Sequence, residues 1–288
     1  MTRIWKHRGV ISKVLIYFML CLMAVVAVFP LLYTITNSFL SANEIDKYYG
    51  SLDMGNSGVN PFHLIPDRVT LSGFSVMLLE KPHYLLKFWT SLGLCGTIVS
   101  GQAVLSILGG YAFSKFRFPG RDMLFFMIIA LMIMPLQVML TPSYMVLDRL
   151  GLIGSYSSLI LPGLFSAFGV FLMRQVMATV PDSLLESARI DGAGSFRILM
   201  QILLPSCKAG LFSLIVLSFI DNWNMVEQPL IFLKESFMYP LSVFLLQTNA
   251  LEPALGFACG LLSMLPVLLL FLYFEDEMVH GIEYSVIK

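Results

Sequence analysis

The feature that limits this chain most is the length of its apolar runs. Six stretches, at about 13–36, 88–113, 122–145, 156–177, 207–232 and 256–278, are poor in charge. Each is long enough to cross a hydrocarbon core of about 30 Å as a helix, which takes about 20 residues. The runs are continuous rather than alternating, which argues against the strands of a membrane β-barrel. Charged residues make up 12% of the 288, against 57% hydrophobic, too few to cover a water-soluble surface of this size. Pro135, Pro162, Pro229 and Pro266 fall in or near the runs and predict kinks, since neighbouring helices can re-satisfy the freed backbone groups. The expected fold class is an all-α integral membrane protein with six transmembrane helices, a single domain over 1–288.

An even number of spans puts both termini on one side, and the lysines and arginines say which. With the N-terminus inside, the inner segments hold twelve of these cations and the outer segments six. Both termini are therefore expected in the cytoplasm. The acids Glu275, Asp276 and Glu277, just past the last run, fall on the same side, but acids contribute little to the rule. The basic N-terminus followed by an apolar run resembles a signal peptide, but the run to about Ile35 is too long and lacks a small-x-small cleavage site. It reads as a retained first span. Two connections are long: an outer one at about 37–87, rich in Gly, Asn, Ser and Pro, and an inner one at about 178–206.

Several functions are excluded or unsupported. The formal net charge is zero, so no bulk field draws nucleic acid. Cys21, Cys95, Cys207 and Cys259 show no CxxC spacing, and the four histidines are scattered, so neither a disulfide framework nor a metal site can be read. The phosphate-binding pattern GxxxxGK[ST] is absent, as is any nucleophile–base arrangement. The chain is expected to be non-catalytic, with no cofactor of its own.

Charge reappears abruptly in the inner connection. Glu186, Arg189, Asp191 and Arg197 crowd into ESARIDGAGSFRILMQILLP at 186–205. Thr179-Val180-Pro181-Asp182 predicts a capped helix start, with Pro in the first turn. Asp191-Gly192 predicts its end, because Gly supplies the left-handed conformation. Ser195 is expected to cap a second short helix carrying Ile198, Leu199 and Ile202 on one face, and Pro205 to end it. Two short helices with a tight elbow make either a knob that fits a groove on another protein or a hairpin lying on the membrane surface.

The stretch resembles the EAA signature of membrane permeases of binding-protein-dependent ABC importers. The matching residues are Glu186-Ser187-Ala188, then Asp191-Gly192, then Ile202-Leu203-Leu204-Pro205, with Ser187 in place of an alanine. The similarity extends along nearly the whole chain and is greatest to the sugar-importer branch related to the smaller maltose permease subunit. Tyr111 to Gly120, Met134-Pro135, Pro142, Trp223-Asn224 and Pro229 resemble that branch's later segments. The tail departs from it: Glu275-Asp276-Glu277 stand where a basic pair is usual, and Glu283-Tyr284-Ser285 replace a glycine-bearing part, though Gly281 and Lys288 remain. The resemblance implies the type I ABC importer permease fold in a prokaryotic cytoplasmic or inner membrane. It implies a second permease subunit as heterodimer partner, two ATP-binding subunits that hold ATP and Mg, and an extracytoplasmic solute-binding protein. It implies that 178–206 docks in a cleft of an ATP-binding subunit. There Glu186, Ser187, Ala188, Asp191 and Gly192 would form the contact, Ala188 leaving room for a groove wall, while Leu204 and Pro205 fix the exit into the fifth span. The implied cargo is a sugar or oligosaccharide, with polyols and glycerol phosphodiester-like compounds left open.

The remaining polar residues are weighed alone. Asp221, Asn222, Asn224 and Glu227 lie in the fifth run, and an acid inside a span is a functional hypothesis because burying it in lipid costs several kcal/mol. Lining a translocation path, sitting at the outer interface and pairing with the partner permease all remain open. Gln137 is a weaker path candidate. Trp89 and Trp223 read as interface anchors, and Lys115, Arg117 and Arg121 as topology charges beside lipid headgroups. Two other functions compete. An ion-coupled carrier would use Asp221 and Glu227 to bind a proton or cation, and a membrane scaffold would use the knob only to recruit a protein.

Overall fold

The computed structural model describes residues 2–49, 66–80, 83–251 and 253–286. Much of the expected outer segment, at 50–65 and 81–82, and the terminal Lys288 lie outside the described residues, as do the side chains of Arg3, Lys6, Arg8 and of the tail from Asp276. Every regular element among the described residues is a helix. The chain divides into two compact units, residues 1–84 with 245–262, and 85–244 with 263–288.

In the first unit α1 (Thr2–Asn37) is followed by α2 (Ala42–Tyr49) and by α3 (Ser72–Ser75), which runs on as a π-helical turn, Val76–Glu80. The last carbonyls of α1 have no partners within the helix. Asn37 Nδ2 donates to Tyr33 O at 2.7 Å and Ser38 Oγ to Ile35 O at 2.7 Å, so side chains serve carbonyls at the end of the helix. A reciprocal capping box opens α2: Ser41 N donates to Glu44 Oε2 at 2.9 Å and Glu44 N to Ser41 Oγ at 3.4 Å. The other carboxylate oxygen accepts from the backbone N–H groups of Asp67 and Arg68 at 2.8 and 3.3 Å. Glu44 thus ties the chain after α1 to the chain before α3. The Ser41 N–H, and after it the Ser41 hydroxyl and the Asp67 and Arg68 N–H groups, hold its carboxyl below the usual range against the opposing effect of burial.

The second unit contains most of α4 (His83–Lys115), then α5 (Arg121–Ile133), α6 (Leu136–Arg149), α7 (Ser157–Gly163) and α8 (Ala167–Ala178). Next come α9 (Asp182–Ile190), α10 (Ser195–Ile198), a π turn at Leu199–Leu203, α11 (Leu204–Ser206), α12 (Lys208–Trp223) and α13 (Glu227–Phe232). Helices α14 (Leu241–Leu251) and α15 (Pro253–Val286) complete the chain.

Four helical stretches among the described residues are long and apolar enough to cross a bilayer: Lys13–Asn37, His83–Lys115, Ser157–Ala178 and Leu255–Glu275. Two bent pairs raise the number to six if each is one broken span. This corrects two of the expected spans. The run at 122–145 is not continuous, because α5 and α6 meet at 108°. Pro135 has no N–H to continue the helix, and its ring drives Met134 into the extended region at ψ 130°. The run at 207–232 is not one helix either: α12 stops at Trp223 and α13 begins at Glu227, and the segment 195–206 before α12 is bent from it by 81°.

Helices α4 and α8 pack closely because glycine lets them. A Cβ built on Gly110 would stand 2.6 Å from Met173 Cβ and 2.9 Å from Arg174 N, and one on Gly109 would stand 3.1 Å from Val170. Small residues at such contacts let backbones approach where lipid supplies no hydrophobic drive. At the same end of α8, the Arg174 guanidinium lies 3.7 Å over the Phe125 ring, which also stacks near Phe171. Trp223 is not an interface anchor. It is 5% exposed, its indole N–H donates to Ser263 O at 3.0 Å, and Phe219 and Phe88 flank its ring. Trp89 is exposed.

Candidate functional site

The segment 178–206 does form two short helices with an elbow, but its caps differ from expectation. Thr179 Oγ1 donates back to Val176 O at 2.8 Å and caps nothing ahead, and α9 begins after Pro181 without a side-chain cap. Gly194, not Ser195, is the residue before α10. The elbow itself is as the Asp-Gly pair implies. Gly192 has φ +82°, its N–H donates to Arg189 O at 3.0 Å, and the Ala193 N–H to Ala188 O at 2.9 Å. These two bonds close the left-handed cap that satisfies the last carbonyls of α9. No atom of this chain lies within 4 Å of a Cβ at Gly192, so backbone conformation alone requires glycine here.

Two side chains of α4 pin this segment. Lys115 Nζ donates to Val180 O at 2.6 Å and to Asp182 Oδ1 at 2.7 Å, and the lysine side chain is only 5% exposed. Tyr111 OH donates to Ser195 O at 3.3 Å. Lys115 is therefore a tether inside the protein rather than a lipid-facing charge. The hydrogen bond and charge of Lys115 hold the Asp182 carboxyl below the usual range. Arg117 is exposed, and Arg121 pairs with Asp122 at 2.9 Å.

Packing sorts the coupling candidates. Leu185, Ala188, Ile198, Leu199 and Leu203 are buried in one core with Tyr111, Met173, Met177, Cys207 and Leu214. Ala188 thus faces its own chain, not a groove outside it: three residues from Leu185, it lies on the same buried face of α9. Glu186, Ser187, Asp191 and Gly192 are exposed, Leu204 is half-buried and Pro205 exposed. Ser187 Oγ bonds back to Ser183 O at 2.9 Å. The sequence reading missed the apolar part of the exposed face. Ile190 is 86% and Phe196 73% exposed, with Leu184 at 51%. An alternation of inward and outward apolar residues in a short amphipathic helix is the signal that could have found them.

A second site lies farther along the same helices. A cavity of about 750 Å³ is lined by Asp221 and Asn222 of α12, by Asn224 beyond its end, and by Glu227 and Gln228 of α13. Gln102 of α4, Ser143 of α6, Ser158 of α7, Ser166 before α8, and the rings of Phe165 and Phe168 complete its polar and aromatic parts. Four of the five path candidates are therefore brought together. The fifth, Gln137, stands behind them: its Nε2 donates to both carboxylate oxygens of Glu227 at 3.1 and 3.3 Å. Gln102 was missed. It is 8% exposed, its Nε2 donates to Gly163 O at 2.7 Å, and it lines the cavity. Nothing in its surroundings in the sequence marks it, since a lone glutamine in a span more often bonds a neighbouring helix.

The two sites share their scaffolding. Gln102 lies thirteen residues before Lys115 at the end of α4, and Asp221 thirteen residues after Lys208 at the start of α12. At 1.5 Å per residue each is about 20 Å along its helix from the end that borders the 178–206 segment. Helix α8 enters that segment and α12 leaves it, and both helices bring residues to the cavity.

The description "Binding-protein-dependent transport system inner membrane component" fits residues 103–276, more than half of the chain. The arabinooligosaccharides transport system permease protein AraQ of Halalkalibacterium halodurans is 27% identical over 272 residues, 92% of either chain. The sn-glycerol-3-phosphate transport system permease protein UgpE of Brucella abortus is 33% identical over 221 residues, 77% of this chain and 76% of that one. Among solved structures, a chain of a bacterial ABC transporter involved in the import of the acidic polysaccharide alginate superposes with a TM-score of 0.74 at 23% identity, over 96% of this chain and 98% of its own. The fold is shared with that transporter chain, and by the extent of the family match this chain belongs to the binding-protein-dependent transport system inner membrane components.

Proposed function

We propose that this chain is one of two permease subunits of an ATP-driven importer for a sugar or oligosaccharide. In this reading the spans are the four long stretches, the bent pair α5–α6 and the fifth-run helix α12, six in all, with both termini and the 178–206 segment on the cytoplasmic side. The cation distribution supports that orientation. The observation that carries the reading is that α8 and α12 flank the 178–206 segment and both reach the cavity. A displacement of the segment is delivered to two walls of the cavity at once, which is what coupling to a distant ATPase requires.

The segment offers a partner a surface of mixed character. Ile190 and Phe196 present apolar surface, and Glu186 presents a carboxylate for a charge-assisted bond to a basic residue. The Lys115 and Tyr111 tethers tie it to α4, so a push from an ATP-binding subunit moves helices rather than deforming a loop. ATP and Mg belong to that subunit, two copies of which, with a second permease and an extracytoplasmic solute-binding protein, complete the assembly. A solved alginate transporter of this fold, 16% identical with a TM-score of 0.61, is described in complex with an alginate-bound periplasmic protein. The proposed place of the chain is the inner membrane of a prokaryote.

Carbohydrate chemistry fits the cavity. Serine hydroxyls, carboxamides and carboxylates suit sugar hydroxyls, and Phe165 and Phe168, 48% and 39% exposed, offer faces for the C–H side of a sugar ring. The volume lies within the range of small-molecule sites. The test is uptake of labelled oligosaccharides by vesicles holding the whole complex, with ATP inside and ion gradients collapsed by ionophores. Uptake that requires ATP and survives the ionophores is expected. Uptake that ignores ATP and stops with the gradient makes Asp221 and Glu227 the ion sites of a secondary carrier instead.

A further inference from the structure

The walls of the cavity carry charge of one sign. Asp221 and Glu227 both line it, from two helices, and no lysine, arginine or histidine is among its described lining residues. Neither carboxylate is paired with a cation among the described residues. Lys115 pairs with Asp182 and Arg121 with Asp122, all four outside the lining. Glu227 is instead oriented by a neutral donor, Gln137 Nε2, which fixes the carboxylate in place without bringing a cation to it. Gln102 adds an acceptor of a different kind. Its side chain is more than nine-tenths buried, one Nε2 hydrogen is given to Gly163 O, and the residue lines the cavity with a carboxamide that can also accept. The wall is rich in acceptors and lacks cationic donors.

From this we infer that the path formed by this chain selects against anionic carbohydrates and passes uncharged or amine-bearing ones. The inference rests on the importer reading given above. Hydroxyl and ammonium groups donate to Asp221 and Glu227, whereas a carboxylate, phosphate or sulfate on the cargo meets two like charges and no compensating cation among the described lining residues. At an effective dielectric of about 20, a like charge several ångströms away disfavours passage by on the order of tenfold or more. The selection sets this chain apart from relatives whose described cargo is acidic, sn-glycerol-3-phosphate and alginate.

The test uses the whole complex in vesicles. The probe is the neutral oligosaccharide of one to five units taken up fastest, compared with its uronate-ended and its 2-amino-sugar-ended counterparts. The binding protein has its own preferences, so the readout is the neutral-to-uronate uptake ratio in the native complex against the same ratio with Asp221→Asn, Glu227→Gln and both together. The inference expects neutral and amino sugars to outrun the uronate, and the double substitution to shrink the ratio by about tenfold or more. A ratio unmoved by the substitutions overturns it, because selection then lies elsewhere. So does native uptake of the uronate as fast as the neutral sugar, which leaves the importer reading standing. Where the substitutions prevent assembly, the native ranking of the three probes still decides: uronate ahead of amino sugar overturns the inference. ATP-driven uptake of none of them defeats the importer reading itself, and the inference with it.

Discussion

At the scale of single residues, Lys115 carries more than its place in the sequence suggests. In a basic cluster after an apolar run it reads as a topology charge, since nothing local shows that Val180 O and Asp182 will fold back within reach of Nζ. Asp182 lies below the usual carboxylate range because of that lysine. The pair is thus fully formed above about pH 4 and is lost as pH falls through the lowered value of Asp182. Lys115→Met removes both bonds at any pH. Hydrogen exchange at 179–184 is expected to rise roughly tenfold at neutral pH, as the loss of a buried charge-assisted bond implies. Asp182→Asn, which spares the bond to Val180 O, should produce the smaller rise. Equal exchange in the native chain and in Lys115→Met would show that the tether holds nothing.

At the scale of elements, what could be read depended on whether the cause was local. Asp191-Gly192 announced its elbow because a positive φ is a property of one residue. Met134-Pro135 announced a break, but its 108° angle depends on what α5 and α6 pack against. The inward turn of Ala188 was not legible for the same reason: the buried face of α9 is chosen by Tyr111, Met173 and Met177 from other helices. The contact of α4 with α8 can be tested by two alanines in one helix. Gly93→Ala meets nothing within 4 Å and should raise the melting temperature in detergent, since alanine favours a helix over glycine by about 1 kcal/mol. Gly110→Ala places its Cβ 2.9 Å from the Arg174 backbone nitrogen and should lower it, with an overpacking cost of about 1–3 kcal/mol. Shifts of the same sign at both positions would contradict the close approach.

At the scale of the molecule, the apolar runs dictated a helical membrane protein, and acids stranded in the fifth run pointed to a polar site. The cavity itself was not legible. It needs Gln102 and Ser166 brought beside Asp221, and that depends on glycine-mediated helix contacts far from any motif. The central claim is that the exposed face of 178–206 passes force from an ATP-binding subunit to this cavity. The most direct measurement is ATP hydrolysis and oligosaccharide uptake by the same vesicles, with the native chain and with Glu186→Lys and Ile190→Asp, insertion being verified for each. Both substituted side chains lie on the exposed face and leave the buried core untouched. The account predicts chains that insert normally but lose substrate-stimulated hydrolysis and uptake together, by tenfold or more where a docking residue acts as an interface anchor. Hydrolysis and uptake at native rates with both substitutions in place would contradict it.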